Sequence, residues 1–389
     1  MNRPFKKFLP NTWYSSFTTF NKDVVYKQQR PVSIMTKNFH YNNPFVLESG
    51  KVLQGFHLAY TALGRLNKEG DNVAWVFHAL TANSDPSEWW YGLIGEGKYF
   101  DPSRYFIVCV NMPGSCYGSI SPLDVNPEAG EPFFHEFPSF TTRDMIRCYQ
   151  HLKEHLGIKK IHIGLGGSMG GQQLLEWAIE EPELFEHIIP IATNAKHSPW
   201  GIAFNATQRF CIEADKSWKE KHEQAGIEGM KVARAIALLS YRNYHTYETA
   251  QEGVQANGNL PGQQLFKAET YQQYQGEKLA KRFNAFSYYF LSRSMDTHDV
   301  GRGRGSVEEA LKKVTAKTLI INIKSDILFP LKEQELLKEL IPNAELAIID
   351  SHYGHDGFLL EFEVIGTLVT RFVSTKSNTV KKETEIVIK

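Results

Sequence analysis

A chain of 389 residues with 43 basic and 43 acidic side chains is long enough to bury a large core and still carry an inserted element or a second domain. Zero net charge argues against nucleic-acid or polybasic membrane binding, and no apolar run reaches membrane-span length or opens the chain as a signal segment. Cys109, Cys116, Cys148 and Cys211 show no C-x-x-C pairing and no histidine at zinc spacing, so no metal site is expected and the thiols read as idle groups of a cytoplasmic protein.

Residues 1–34 hold Arg3, Lys6, Lys7, Lys22, Lys27 and Arg30 against Asp23 alone, but Pro4 and Pro10 interrupt any amphipathic helix. They read as an extended tail, and Met35 as the start of a core that runs to residue 194. Within it, Phe45 to Leu66 suggests early antiparallel strands. Val73–Phe77 (VAWVF) and Tyr105–Val110 (YFIVCV) are continuous apolar runs of the kind buried on both faces. The first run ends in HALTAN, residues 78–83, a small-residue turn past a histidine where the Leu80 N–H is a candidate oxyanion donor. Thr141 to Leu156 has helical periodicity, with Thr142 and Asp144 as start signals and Gly157 just past the end. Ile188 to Thr193 reads as a further strand. Strands alternating with helices predict a parallel sheet covered on both sides.

From residue 195 to about 315 the alternation gives way to helices, among them Glu228–Ser240 and Lys278–Ser294, which reads as a helical lid inserted in the core. The sheet resumes over residues 316–375 with Thr318–Ile323 and Ala344–Ile349. Residues 376–389 read as a frayed C-terminal tail.

The chemistry centres on Ile161 to Glu176, IHIGLGGSMGGQQLLE. A short apolar strand runs into Gly166-Gly167-Ser168-Met169-Gly170, and helical spacing starts at Met169. A G-x-S-x-G at such a turn presents its serine at the carboxyl end of a strand in a strained conformation, with glycines where β-carbons would clash. The N–H of Met169 then points at the same spot as a second oxyanion donor. The two resumed strands end in Lys324-Ser325-Asp326 and in a segment holding His352 and His355, so Ser168, Asp326 and His355 follow the chain order of a triad on this kind of sheet. His352 competes for the base, Asp350 and Asp299 for the acid, and Cys116 in Gly114–Gly118 for the nucleophile. A triad by itself implies acyl transfer, to water or to another hydroxyl.

The chain resembles the α/β-hydrolase-fold homoserine O-acyltransferases of methionine biosynthesis from about Phe45 to Phe372. The likeness is carried by HALTAN (78–83), NMPGSCYGS (111–119), FPSFTTRDMIR (137–147), GGSMGGQQLLEWA (166–178), LLSYR (238–242), the stretch 274–305, SDILFP (325–330) and GHDGFL (354–359). It departs from the family in the run after the cysteine loop and at Gln172.

The resemblance implies an α/β-hydrolase fold with a helical lid that also builds a homodimer, and Ser168, Asp326 and His355 as the triad. It further implies Arg242 on the substrate carboxylate and Asp356 on its amino group. A guanidinium holds a carboxylate by two parallel hydrogen bonds, and a carboxylate beside the base orients an ammonium. The expected reaction is ping-pong transfer of an acetyl group from acetyl-coenzyme A, a co-substrate, to L-homoserine, with no bound cofactor. Succinyl transfer, serine as acceptor, or ester hydrolysis by the same triad are the alternatives. Arg209, Arg302 and Arg304 are candidate contacts for coenzyme A phosphates.

Overall fold

The computed structural model describes residues 36–254, 265–375 and 385–388. The expected N-terminal tail, residues 1–34, lies outside the described residues, as does most of residues 376–389. Two short antiparallel pieces open the chain: β1 (Lys37–Tyr41), then β2 (Phe45–Val46) paired with β3 (Val52–Leu53) in a small separate hairpin. β4 (Phe56–Leu63) lies antiparallel between β1 and the later β6 (Phe106–Val110). β5 (Val73–Phe77) and β6 are buried at every position, which is why neither shows the alternation of a half-exposed strand.

A short α1 (Pro86–Trp89) follows β5, and α2 (Thr142–His155) follows β6. α2 starts at a capping box in which Thr141 accepts from Asp144 N–H and the Asp144 carboxylate accepts from Thr141 N–H. The cap is therefore Thr141 rather than the expected Thr142, whose side chain is buried one position inside. β7 (Ile161–Gly167) leads into α3 (Met169–Glu180) and β8 (Phe185–Ile191). β8 starts three residues before the expected Ile188, since Phe185 and His187 already pair with β7.

The block after β8 comprises α4 (Pro199–Ala214), α5 (Ile227–Tyr241), α6 (Tyr244–Gln251), α7 (Lys267–Ala280), α8 (Ala285–Asp296) and α9 (Val307–Leu311). The single helix expected over Lys278–Ser294 is two: Asn284 accepts from Ser287 N–H and starts α8 afresh. Gly229 lets α5 lie against α4, because a β-carbon there would sit 2.3 Å from the Cys211 carbonyl oxygen. The chain returns through β9 (Lys317–Ile323), α10 (Leu331–Leu340), β10 (Ala344–Ile349), α11 (Gly357–Leu360), α12 (Phe362–Ser374) and β11 (Glu385–Ile388). β11 pairs in parallel with β10, so these four residues are a sheet edge and not the frayed tail expected for them.

The sheet order is β1-β4-β6-β5-β7-β8-β9-β10-β11, parallel from β6 onward. The helical block leaves from β8 and returns in β9, its own neighbour, so the insertion interrupts the sequence without breaking the sheet. Apolar cores form on both faces. One packs Trp75, Phe77, Tyr149 and Trp177, with Trp75 and Trp177 edge-to-face at 4.8 Å; the other packs Trp90, Leu165, Phe358, Ile365 and Phe372. Among the described residues no helix is long and apolar enough to cross a membrane.

Candidate active site

Ser168 stands between β7 and α3 at φ 58° and ψ −127°, a conformation that side chains rarely adopt. It is held there on all sides. Its N–H donates to the Ile191 carbonyl (3.0 Å), and its own carbonyl accepts from the Thr193 hydroxyl (2.8 Å) and from Gly171 N–H (2.9 Å). The glycines explain how the turn closes. A β-carbon on Gly166 would fall 2.5 Å from the Gly170 backbone, and one on Gly170 would fall 2.2 Å from the Phe77 carbonyl oxygen. The first turn of α3 is thereby pressed onto the end of β5, next to the loop that holds Leu80.

His355 comes from the turn after β10. Gly354 adopts φ 65°, and its N–H donates to Ser325 Oγ (3.0 Å), which ties the loop after β10 to the loop after β9. The His355 ring is buried, stacked on Phe329 at 5.1 Å and flanked by Phe358 and Tyr241. Its Nδ1 lies 2.7 Å from Asp326 Oδ2 and its Nε2 2.9 Å from Ser168 Oγ. The other Asp326 oxygen accepts from Leu328 N–H (2.8 Å) and Phe329 N–H (3.0 Å), so the carboxylate cannot swing away from the ring. Ser168, His355 and Asp326, some 29 to 187 residues apart in sequence, form one hydrogen-bonded relay. It has the geometry in which an imidazole takes a hydroxyl proton while a carboxylate holds its tautomer.

The rivals lie elsewhere. His352 is exposed beside His245, Asp350 pairs with Lys324, and Asp299 pairs with Lys196. Burial pushes the Cys116 thiol up to about 11, which leaves it protonated and a poor nucleophile near neutrality.

The sequence had not singled out His78 as a brace. It is fully buried; its Nδ1–H donates to the Ala79 carbonyl (2.9 Å) and its Nε2 accepts from Met112 N–H (3.1 Å). Burial lowers its pKa to about 4, so the ring is neutral and locks the Ala79–Leu80 turn to the loop after β6. Neither the Leu80 nor the Met169 N–H is engaged by a carbonyl among the described residues, as expected for a turn residue and for the first position of a helix. Gln172, one turn into α3, is also buried and donates to Asn194 Oδ1 (2.9 Å), part of a polar cluster with His197 and Asn205. Its signal in sequence was only an unusual residue on a buried helical face.

Arg242 and Asp356 also converge beside the relay. A β-carbon on Gly354 would sit 2.8 Å from the Arg242 carbonyl carbon, so this glycine lets the end of α5 lie against the His355 turn. Arg242 Nε is 2.9 Å from Asp356 Oδ2, yet the N–H is not aimed along that line and makes no hydrogen bond. Burial disfavours the guanidinium charge, but the Asp356 carboxylate and the nearby Tyr271, Tyr247 and Tyr353 outweigh it and raise its pKa. The pair is thus a cation and an anion held in contact by charge, with unused hydrogen-bonding capacity on the guanidinium.

The other three arginines are committed elsewhere. Arg304 pairs with Glu176 and Glu180 (2.6 Å each), Arg302 with Glu48 (2.7 Å) and Arg209 with Asp296 (2.5 Å). The Arg302 and Arg304 pairs are joined through Arg143, which contacts both Glu48 and Glu176, so these charges are engaged by acids of the chain itself. Sequence showed the charges but not the acids that fold back onto them.

A family profile described as the alpha/beta hydrolase fold matches residues 76–362. Homoserine O-acetyltransferase from Cyclobacterium marinum is 46% identical over 334 residues, covering 86% of this chain and 94% of that protein. The crystal structure of homoserine O-acetyltransferase from Bacillus anthracis superposes with TM-score 0.80 at 26% identity, over 89% of this chain and 99% of that one. The structure of esterase E22, at TM-score 0.79 and 23% identity over 87% of this chain and all of that one, shares the fold.

Proposed function

Since this chain belongs to the homoserine O-acetyltransferases of the alpha/beta hydrolase fold, we propose that it transfers an acetyl group from acetyl-coenzyme A to the hydroxyl of L-homoserine, a step of methionine biosynthesis. The observation that carries the reading is the Arg242–Asp356 pair set beside the Ser168–His355–Asp326 relay. An esterase on the same fold needs the relay but not a paired cation and anion, which together fit the two ends of a zwitterionic amino acid.

The mechanism is ping-pong. His355 Nε2 takes the Ser168 hydroxyl proton as Oγ attacks the thioester carbonyl, and the Leu80 and Met169 N–H groups hold the oxyanion. Collapse breaks the C–S bond, and coenzyme A leaves as a thiol with the proton from His355. Homoserine then binds with its carboxylate on Arg242 and its ammonium on Asp356. Its hydroxyl gives a proton to His355 and attacks the acetyl carbonyl, and collapse returns the proton to Ser168 as O-acetyl-L-homoserine leaves.

The helical block between β8 and β9 serves as a lid that keeps water from the acyl-enzyme. It also offers a dimer surface: Trp200, Phe210, Leu239, Tyr244 and Tyr274 on α4–α7 are each more than half exposed. Four free cysteines suit a cytoplasmic setting. The test follows free thiol from acetyl-coenzyme A with and without L-homoserine, with succinyl-coenzyme A and L-serine alongside. Parallel double-reciprocal lines are expected, with one equivalent of thiol released in a burst without homoserine and sustained release only when homoserine is present. Sustained thiol release indifferent to homoserine would make the protein a hydrolase instead.

A further inference from the structure

At the opposite end of β7 from Ser168, about 20 Å away at 3.3 Å per residue, three potential ligands meet. The pairing of β5 with β7 slips by one residue, Val73 with Ile161 and Ala74 with Ile163, so His162 is the extra residue of a bulge. Bulges of this kind re-aim a side chain. Here the His162 ring lies against that of His187 on β8, with centroids 5.3 Å apart at 75°. Glu186 completes the group, its Oε2 lying 2.6 Å from His162 Nδ1.

His187 carries the decisive detail. It is 3% exposed, and its Nδ1 lies 3.2 Å from the His162 carbonyl oxygen. A carbonyl can only accept, so Nδ1 bears the proton and Nε2 presents a bare lone pair. That lone pair is buried and has no partner, a condition native proteins rarely leave without a reason. A ring whose N–H donates to a backbone carbonyl while its other nitrogen is free is the arrangement found in metal-ligating histidines.

One ligand atom from each of His162, Glu186 and His187 lies within 4.8 Å of the others. From this geometry we propose that the three residues bind a divalent transition-metal ion, Zn²⁺ being the fitting class, at the amino-terminal ends of β7 and β8. Two imidazoles and one carboxylate suit zinc and its neighbours rather than magnesium or calcium, which take oxygen ligands. Ligand atoms on a tetrahedral zinc stand about 3.4 Å apart, so the His162–Glu186 pair, now 2.6 Å, opens slightly and the longer separations, up to 4.8 Å, shorten, with the exposed Glu186 side chain free to adjust. The ion replaces any proton shared between His162 and Glu186, and water fills the fourth position. Lys317, in register with His187 on β9, opposes a dication, and the Glu186 carboxylate offsets it. No C-x-x-C or H-x-x-x-H spacing announces such a site, because its ligands come from two adjacent strands rather than one local motif. It would fasten β7 to β8 far from the relay, without a part in acyl transfer.

The full chain, stripped with EDTA, is titrated with zinc chloride by calorimetry and by thermal melting, beside His162→Asn, Glu186→Gln and His187→Gln. One zinc per chain is expected, with affinity at least tenfold weaker in each variant. The melting midpoint should rise about 4 °C at a hundredfold excess over Kd in the parent and not in the variants. Because His187 is buried and its variant is the one at risk of misfolding, the His162 and Glu186 variants decide. Undiminished zinc affinity in those two, or no binding by the parent at millimolar zinc, overturns the proposal.

Discussion

Ser168 cannot leave its strained conformation without breaking its ties to Ile191, Thr193 and α3, so its hydroxyl is presented to His355 before any substrate arrives. Beside it, Arg242 is the proposed contact for the acceptor carboxylate. Arg242→Ala should raise KM for homoserine about 100-fold, the cost of losing a charged hydrogen-bonded contact, while the burst of thiol on first acetylation is unchanged; steady-state kinetics and a single-turnover thiol assay separate the two. Buried histidines set the pH response. Burial lowers His78 to about 4 and His298 to about 3, and burial with the nearby His298 charge lowers His197 to about 3. Between those values and about pH 6.5 the unfolded chain binds more protons than the folded one, so stability is full above pH 6.5 and falls as pH drops through the window. The loss by pH 5 should be about 2 kcal/mol for each histidine, read from urea midpoints at pH 7.5 and 5.

The element that decides reactivity is the β7–α3 turn, and its tolerance is narrow because backbone, not movable side chain, crowds it. Gly170→Ala would force a β-carbon to within 2.2 Å of the Phe77 carbonyl oxygen. The strain should cost about 1–3 kcal/mol in stability. It should also lower the acetylation rate by more than tenfold, because lifting α3 off β5 separates the Met169 and Leu80 donors; chemical denaturation and the thiol burst test both effects. At Gly164 the crowding atoms are the Leu174 and Phe185 side chains, which can shift, so Gly164→Ala should leave more of the burst intact. The break between α7 and α8 follows from a local hydrogen bond, Asn284 to Ser287 N–H, overriding helical periodicity that runs unbroken through the sequence.

For the whole molecule, the exposed apolar side chains of α4 and α5 are the candidate interface. Phe210→Glu with Leu239→Glu should convert a dimer to monomer in sedimentation velocity while the core melts within about 2 °C of the parent, since both side chains are more than half exposed. The buried parallel strands and the relay's chain order were legible early because such strands write themselves as apolar runs, and because the turn that exposes Ser168 demands glycines at fixed offsets. Asp326 and His355 could be chosen from sequence since each ends one of the two resumed strands. Other features depend on contacts between residues far apart in the chain, which no local period records. Arg302 and Arg304 are neutralised because Glu48 and Glu176 come to meet them, His78 is a brace because Met112 reaches its ring, and β11 closes the edge because β10 offers it hydrogen bonds. Sequence determined the buried strands, the turn at Ser168 and which side chains can do chemistry; only the tertiary structure decided which charges are neutralised and which stand ready, because a long-range partner alters a group's electrostatics without altering the pattern around it.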